Sequence, residues 1–127
     1  VGDQGFINGF KGLFAAAENN IRVIYLVCNN GRSVSLTKQS KSQDIPNLSN
    51  NSSKFLGDIP GLNYAKLAQA ANIKSYNIPL GLTGKTTQLL RVALNSALEY
   101  KGVTLINLNI PSAPTAWRGI WSVHGNE

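Results

Sequence analysis

Val1-Gly2-Asp3-Gln4-Gly5 opens the chain, and Val27-Cys28-Asn29-Asn30-Gly31 follows it, with Asn30 standing 27 positions after Asp3. The segment between them has room for one helix and one strand, which returns both tips to the same edge of a parallel sheet. An Asp in a Gly-rich turn and an Asn ending an apolar strand can then meet in space as two oxygen ligands. A small, hard, octahedral cation such as Mg²⁺ suits that pair, because it prefers oxygen and takes only one or two ligands from protein side chains. Phosphate oxygens supply the rest. The glycines let a diphosphate approach the backbone, and the helix that follows points free N–H groups at it. Singly, Gly-Asp and Asn-Asn turns are common at strand ends, where Asn and Asp bond their own backbone. Their joint spacing carries the reading.

The rest of the chain supports α/β order. Phe10, Leu13, Phe14 and Ala17 recur at helical spacing, which predicts a helix from Asn8 to Asn19. Ile21 to Cys28 is a near-continuous apolar run, as expected of a strand buried on both faces. Residues 31–60 are polar, rich in Ser, Asn and Lys, and read as a long loop. A short helix is predicted over Leu62–Ala71, a short strand over Ser75–Ile78, a strong helix over Thr86–Tyr100 and a strand over Val103–Leu108. Strands alternating with helices predict a parallel sheet, whose ligands sit beyond the carboxyl ends of the strands, where Asp3 and Asn30 fall.

Gly-Asp-x-Gly, a helix, an apolar strand and Asn-Asn together resemble the thiamine diphosphate signature of decarboxylases and 2-oxoacid oxidoreductases. The resemblance implies that Asp3, Asn30 and the backbone carbonyl of Arg32 hold Mg²⁺, which grips the diphosphate of the cofactor beside Gly2, Gln4 and Gly5. Ser35-Leu36-Thr37-Lys38-Gln39 resembles the Gly-Leu-Thr-Lys-Gly-Gln loop of 2-oxoacid:ferredoxin oxidoreductase β subunits. That likeness places Thr37 and Lys38 near the substrate carboxylate or coenzyme A. Thr83 to Ile110, with Glu99 to Ile106 toward its end, looks like the late helix and strand of the same subunit, and Pro114-Thr115-Ala116-Trp117-Arg118 is similar to its Pro-Thr-Gly-Trp.

The fold so implied is a three-layer, parallel-sheet thiamine diphosphate-binding domain. It spans residues 1–127 as a single partial domain, incomplete at its N-terminal side. The implied activity is oxidative decarboxylation of a pyruvate-like 2-oxoacid to acyl-CoA, with electrons leaving for ferredoxin. Implied partners are the remaining subunits of an α or αγδ type, ferredoxin and coenzyme A. Another thiamine diphosphate-dependent decarboxylase subunit, or a non-catalytic assembly subunit that has lost the site, are the alternatives. No catalytic side chain is singled out. The activating carboxylate belongs, in the family, to another domain or subunit, and Glu18, Glu99 and Glu127 are not placed for that task.

Departures from the pattern are informative. Gln4 stands where the family has Gly, a position at which a Cβ is expected to bring backbone strain or lost clearance. Ser33-Val34-Ser35 replaces an expected aromatic, and Ser112-Ala113 an expected Cys. The chain has no Met and opens at what reads as the end of a strand, so a fragment, a processed chain or a split gene product is expected.

Composition sets outer bounds. With 127 residues and 43% hydrophobic content, one domain with a modest core is expected. Nothing reads as a signal peptide or as a membrane span, so a cytoplasmic protein without membrane contact is expected. The single cysteine, Cys28, cannot form an internal disulfide or hold an iron–sulfur cluster, and reads as a buried small hydrophobe. The net charge of +6 is scattered without interleaved aromatics, which favours a solvated surface over a nucleic-acid partner. Gly81 to Thr87 has the look of a phosphate loop, but Pro79 occupies the place of its first Gly, and a helix start explains it. His124 has no ligand-spaced neighbour, and Trp117 and Trp121 suit packing.

Overall fold

The computed structural model describes residues 1–31, 62–81 and 84–112. Helices and strands alternate along them: α1 Asp3–Gly9, α2 Lys11–Glu18, β1 Val23–Asn29, α3 Tyr64–Ala70, β2 Lys74–Ile78, α4 Gly84–Glu99 and β3 Val103–Asn109. The strands pair in parallel in the order β1-β3-β2. Val27 lies opposite Asn107 on one side of β3, and Asn77 opposite Asn107 on the other. The α/β class and parallel sheet expected from the sequence are what the chain forms.

Side chains alternate across a strand, so each face of the sheet gathers its own core. On one face Val27, Val103 and Leu105 pack with Phe6, Leu13, Tyr64, Ala65 and Ala68 of α1, α2 and α3. On the other, Ile78 and Ile106 pack with Ala93 and Ala97 of α4, ringed by Ile24, Leu26, Leu90 and Leu94. Three layers result. Leu105 and Ile106, neighbours on β3, anchor opposite cores and are both fully buried.

Two expectations about burial are corrected. The strand buried on both faces is β3, where Val103 to Asn107 are buried throughout, and not β1, most of which is half-buried. Position in the sheet explains this, since β3 is central and α4 packs on β2 and β3. Cys28, on β1, is accordingly half-buried and not enclosed. At the far side of β1 the chain start adds a short parallel contact: Val1 N donates to the Leu26 carbonyl, and the Val1 carbonyl accepts from Cys28 N.

The helix expected over Asn8–Asn19 is two helices, and the first starts at Asp3. Gly2, in extended backbone, caps it, and the Asp3 carboxylate in the first turn favours the positive helix end. Gly9 and Gly12 flank the break at Phe10, where helix propensity is poorest. Both α2 and α3 end the same way. Asn20 and Asn72 take φ of 52° and 57°, while Ile21 N and Ile73 N reach back to the carbonyls of Ala16 and Ala68. These are left-handed caps in which Asn tolerates the conformation and turns the chain toward its strand.

The polar loop beyond Gly31, with Arg32, Thr37 and Lys38, and the segment holding Trp117, Trp121 and His124 lie outside the described residues. Among the described residues no helix is long and apolar enough to cross a membrane.

Two substitutions in β3 separate packing from polarity. Leu105→Ala is expected to lower unfolding stability by about 2–5 kcal/mol in a urea titration, the range for truncating a fully buried Leu. Thr104→Val is expected to be neutral or stabilising, because the buried Thr104 hydroxyl has no partner among the described residues to lose.

Candidate functional site

Asp3 is the first residue of α1 and only 4% exposed. Its Oδ1 accepts from Gln4 N at 2.9 Å, and its Oδ2 accepts from Gly31 N at 2.8 Å. The second bond joins the start of α1 to the turn that follows β1, so the two stretches that opened the sequence reading do meet. Gly31 takes φ of 70°, which a Cβ would oppose, and this aims its N–H back at Asp3 and at Asn29 Oδ1, 3.2 Å away. Asn30 sits between Asn29 and Gly31, half-buried, at the rim of the same edge.

The surroundings of the carboxylate fit a cation. No Lys or Arg among the described residues pairs with Asp3, and each of its oxygens keeps a lone pair beyond the backbone N–H it accepts. A buried carboxylate without a counter-charge is costly, so a bound cation at this point would relieve it. Among the described residues no group of three His, Cys, Asp or Glu could cage a metal. One carboxylate plus amide and carbonyl oxygens suits Mg²⁺ completed by phosphate. Gly5 is packed tightly, since a Cβ there would lie 3.2 Å from Val1 Cγ2. At Gly2 a Cβ would meet nothing within 4 Å.

Gln4 departs from expectation. It lies in the first turn of α1, outside the residues with positive φ, so its backbone carries no strain. The strained turn expected there does not form because the helix already begins at Asp3. Only the clearance of its side chain toward a ligand is left of that concern. The Arg32 carbonyl, Thr37 and Lys38 fall outside the described residues.

Sequence reasoning missed two features of this edge. Tyr64, 1% exposed, packs edge-to-face on Phe6 with ring centroids 5.2 Å apart, and its hydroxyl has no partner among the described residues. Burial first, and the negative charge of Asp3 second, push its pKa from 10.0 up to about 12. Strand ends supply the other feature, a set of asparagines. Asn107 Nδ2 donates to Asn77 Oδ1 at 2.6 Å, and Asn29 Nδ2 donates to Asn107 Oδ1 at 3.1 Å and to the Leu62 carbonyl at 2.9 Å. They line a cleft of about 410 Å³ together with Asn30, Asn63, Asn109 and Ser112. One signal was available: Asn stands near the carboxyl end of all three strands, including the two apolar ones, β1 and β3.

Comparison with known proteins gives the same direction. No curated protein matches the chain in sequence. Among solved structures, the thiamine diphosphate-dependent 4-hydroxybenzoylformate decarboxylase of Rhodococcus jostii RHA1 superposes with a TM-score of 0.68 and 24% identity, covering 87% of this chain and 19% of that one. A protein of Mycobacterium smegmatis described as a thiamin diphosphate-dependent enzyme superposes with a TM-score of 0.63 and 20% identity, covering 87% of this chain and 17% of that one. At these identities the likeness concerns the fold, and this chain spans about a fifth of the length of either structure. The family model for the thiamine pyrophosphate enzyme C-terminal TPP-binding domain matches residues 1–108. This chain belongs to that family of thiamine diphosphate-dependent enzyme domains.

Proposed function

We propose that the chain is the diphosphate- and Mg²⁺-binding portion of an enzyme that decarboxylates 2-oxoacids, and that its branch is the 2-oxoacid:ferredoxin oxidoreductases. One observation carries the first half. The buried carboxylate of Asp3, with no Lys or Arg partner among the described residues, is held against the Asn29-Asn30-Gly31 turn by the Gly31 N–H at 2.8 Å. Asp3 and Asn30 offer side-chain oxygens to Mg²⁺, Arg32 a carbonyl, and Gly2, Gln4 and Gly5 border the diphosphate. Bound thiamine diphosphate supplies the electron sink that 2-oxoacid decarboxylation needs. The chain itself contributes a fixed anionic ligand, a turn locked by a positive φ, and an apolar floor of Phe6 and Tyr64 beneath them.

The oxidoreductase branch rests on the likeness of Ser35 to Gln39 and Pro114 to Arg118 to the β-subunit segments, with α- or αγδ-type subunits, ferredoxin and coenzyme A as partners. A non-oxidative decarboxylase is the second reading, favoured by the fold likeness to the Rhodococcus jostii decarboxylase. Both need a further chain or domain to supply the activating carboxylate. Ferredoxin reduction by the assembled holoenzyme separates them.

Calorimetric titration of thiamine diphosphate into the chain tests the site. Binding is expected to require Mg²⁺ and to weaken at least ten-fold in Asp3→Ala, about 1.4 kcal/mol. In Gln4→Gly the affinity is expected to stay within about three-fold of the parent, since the backbone at this position is already unstrained. Binding gained only in Gln4→Gly would instead identify a non-catalytic subunit. Tyr64 reports on Asp3 independently. An alkaline titration followed at the tyrosinate absorbance is expected to contain a component near 12 that is lost in Tyr64→Phe and lowered in Asp3→Ala. Because the folded-state pKa is raised, the Tyr64 contribution to stability is complete below pH 10.0 and is lost as pH rises toward about 12.

A further inference from the structure

We infer that Asn107 is a positioning residue, which fixes the Asn29-Asn30-Gly31 turn through a directed relay of carboxamides running across all three strands. This rests on the proposed cofactor site, because what the relay positions is the turn that faces Asp3.

The relay is continuous. Asn107 Nδ2, on central β3, donates to Asn77 Oδ1 of β2 at 2.6 Å. Asn29 Nδ2, on β1, donates to Asn107 Oδ1 at 3.1 Å. Asn29 Oδ1 then accepts from Gly31 N at 3.2 Å, and the same N–H is shared with Asp3 Oδ2 at 2.8 Å. Asn77 Oδ1 also accepts from Asn109 Nδ2, whose other bond goes to the Ile78 carbonyl at 2.7 Å.

Each amide has one workable orientation. Reversing Asn107 would set its NH₂ against the Asn29 NH₂ and its oxygen against the Asn77 oxygen, opposing like groups on both sides. Asn29 cannot turn over either, since its two N–H donors are taken by Asn107 Oδ1 and the Leu62 carbonyl. That orientation leaves Oδ1 of Asn29 facing Gly31. Asn107 is 1% exposed and Asn29 8%, so water competes poorly for these bonds. A buried amide in the middle of a central strand is otherwise unfavourable, and apolar residues fill the preceding positions Leu105 and Ile106. The relay gives this polar position a task, which is to carry the rigidity of the sheet into a turn with a φ of 70°.

The test is amide hydrogen exchange at Gly31 in the full chain, without ligand, together with calorimetry of thiamine diphosphate and Mg²⁺. Asn107→Leu keeps the approximate volume and removes both relay bonds. Gly31 is expected to exchange about ten-fold faster, the equivalent of about 1.4 kcal/mol, while Leu105 and Ile106 keep their protection. Affinity for thiamine diphosphate with Mg²⁺ is expected to weaken by a similar factor. Thr104→Val, equally buried on the same strand, is expected to leave Gly31 unchanged. Asn77→Ala, at an exposed position of β2, frees the far end of the relay and is expected to speed Gly31 exchange by a smaller factor. Unchanged exchange at Gly31 in either Asn variant would overturn the proposal, as would loss of protection along the whole of β3 or the same response in Thr104→Val. Faster Gly31 exchange with unaltered cofactor affinity would overturn the link to the site. A parent chain that does not bind thiamine diphosphate with Mg²⁺ would defeat the cofactor reading, while Gly31 exchange still decides whether the relay holds the turn.

Discussion

The carboxyl edge of this sheet is organised around one buried negative charge. Asp3 reaches that position because α1 begins directly after the Val1–Gly2 bridge to β1, which fixes the helix start against the end of the strand. Its two oxygens are held by backbone N–H groups of Gln4 and Gly31, one from its own helix and one from the opposite turn. Such an arrangement orients a carboxylate without neutralising it. The floor below is apolar, and the Tyr64 hydroxyl beside it is kept protonated by burial and by the charge of Asp3. The proposed Mg²⁺ would complete such a site.

The three-layer fold serves that edge. Central β3 joins both cores, so the carboxyl ends of β1 and β2 are held relative to each other through it. Apolar packing fixes the body of the sheet up to Leu105 and Ile106. Beyond that level the strands carry asparagines, and hydrogen bonding takes over from packing. The change from apolar to carboxamide along a single strand falls at the carboxyl edge, where sheets of this class place their ligand sites.

Much of this was legible in the sequence, and what was not has identifiable causes. The alternation of apolar strands and amphipathic helices gave the class and the parallel sheet, because period and crossover geometry are local rules. Spacing brought Asp3 to the turn after β1, where the structure joins it to Gly31. Helix boundaries were harder: the apolar stripe starting at Phe10 said nothing of Phe6 or of the cap at Gly2, so α1 was read several residues late. Burial was misassigned between β1 and β3 because the strand order β1-β3-β2 is not written in either strand. Cys28 followed that error. The strain expected at Gln4 depended on a turn that the early helix start replaces. Asn107 and Tyr64 escaped notice because their roles arise from contacts across long sequence separations. Asn20 and Asn72, each preceding an Ile that opens the approach to a strand, were a readable signal for the helix ends.

Binding of the metal–diphosphate group at the Asp3–Gly31 edge can be followed by paramagnetic broadening. Mn²⁺ can replace Mg²⁺ with thiamine diphosphate in ¹⁵N-labelled protein, and its paramagnetism broadens amide signals according to distance. Loss of the Gln4, Asn30 and Gly31 signals is expected, dependent on thiamine diphosphate and abolished by Asp3→Ala, while amides at the amino end of β2 persist. Broadening centred elsewhere, or the same broadening without Asp3, would contradict binding at this edge.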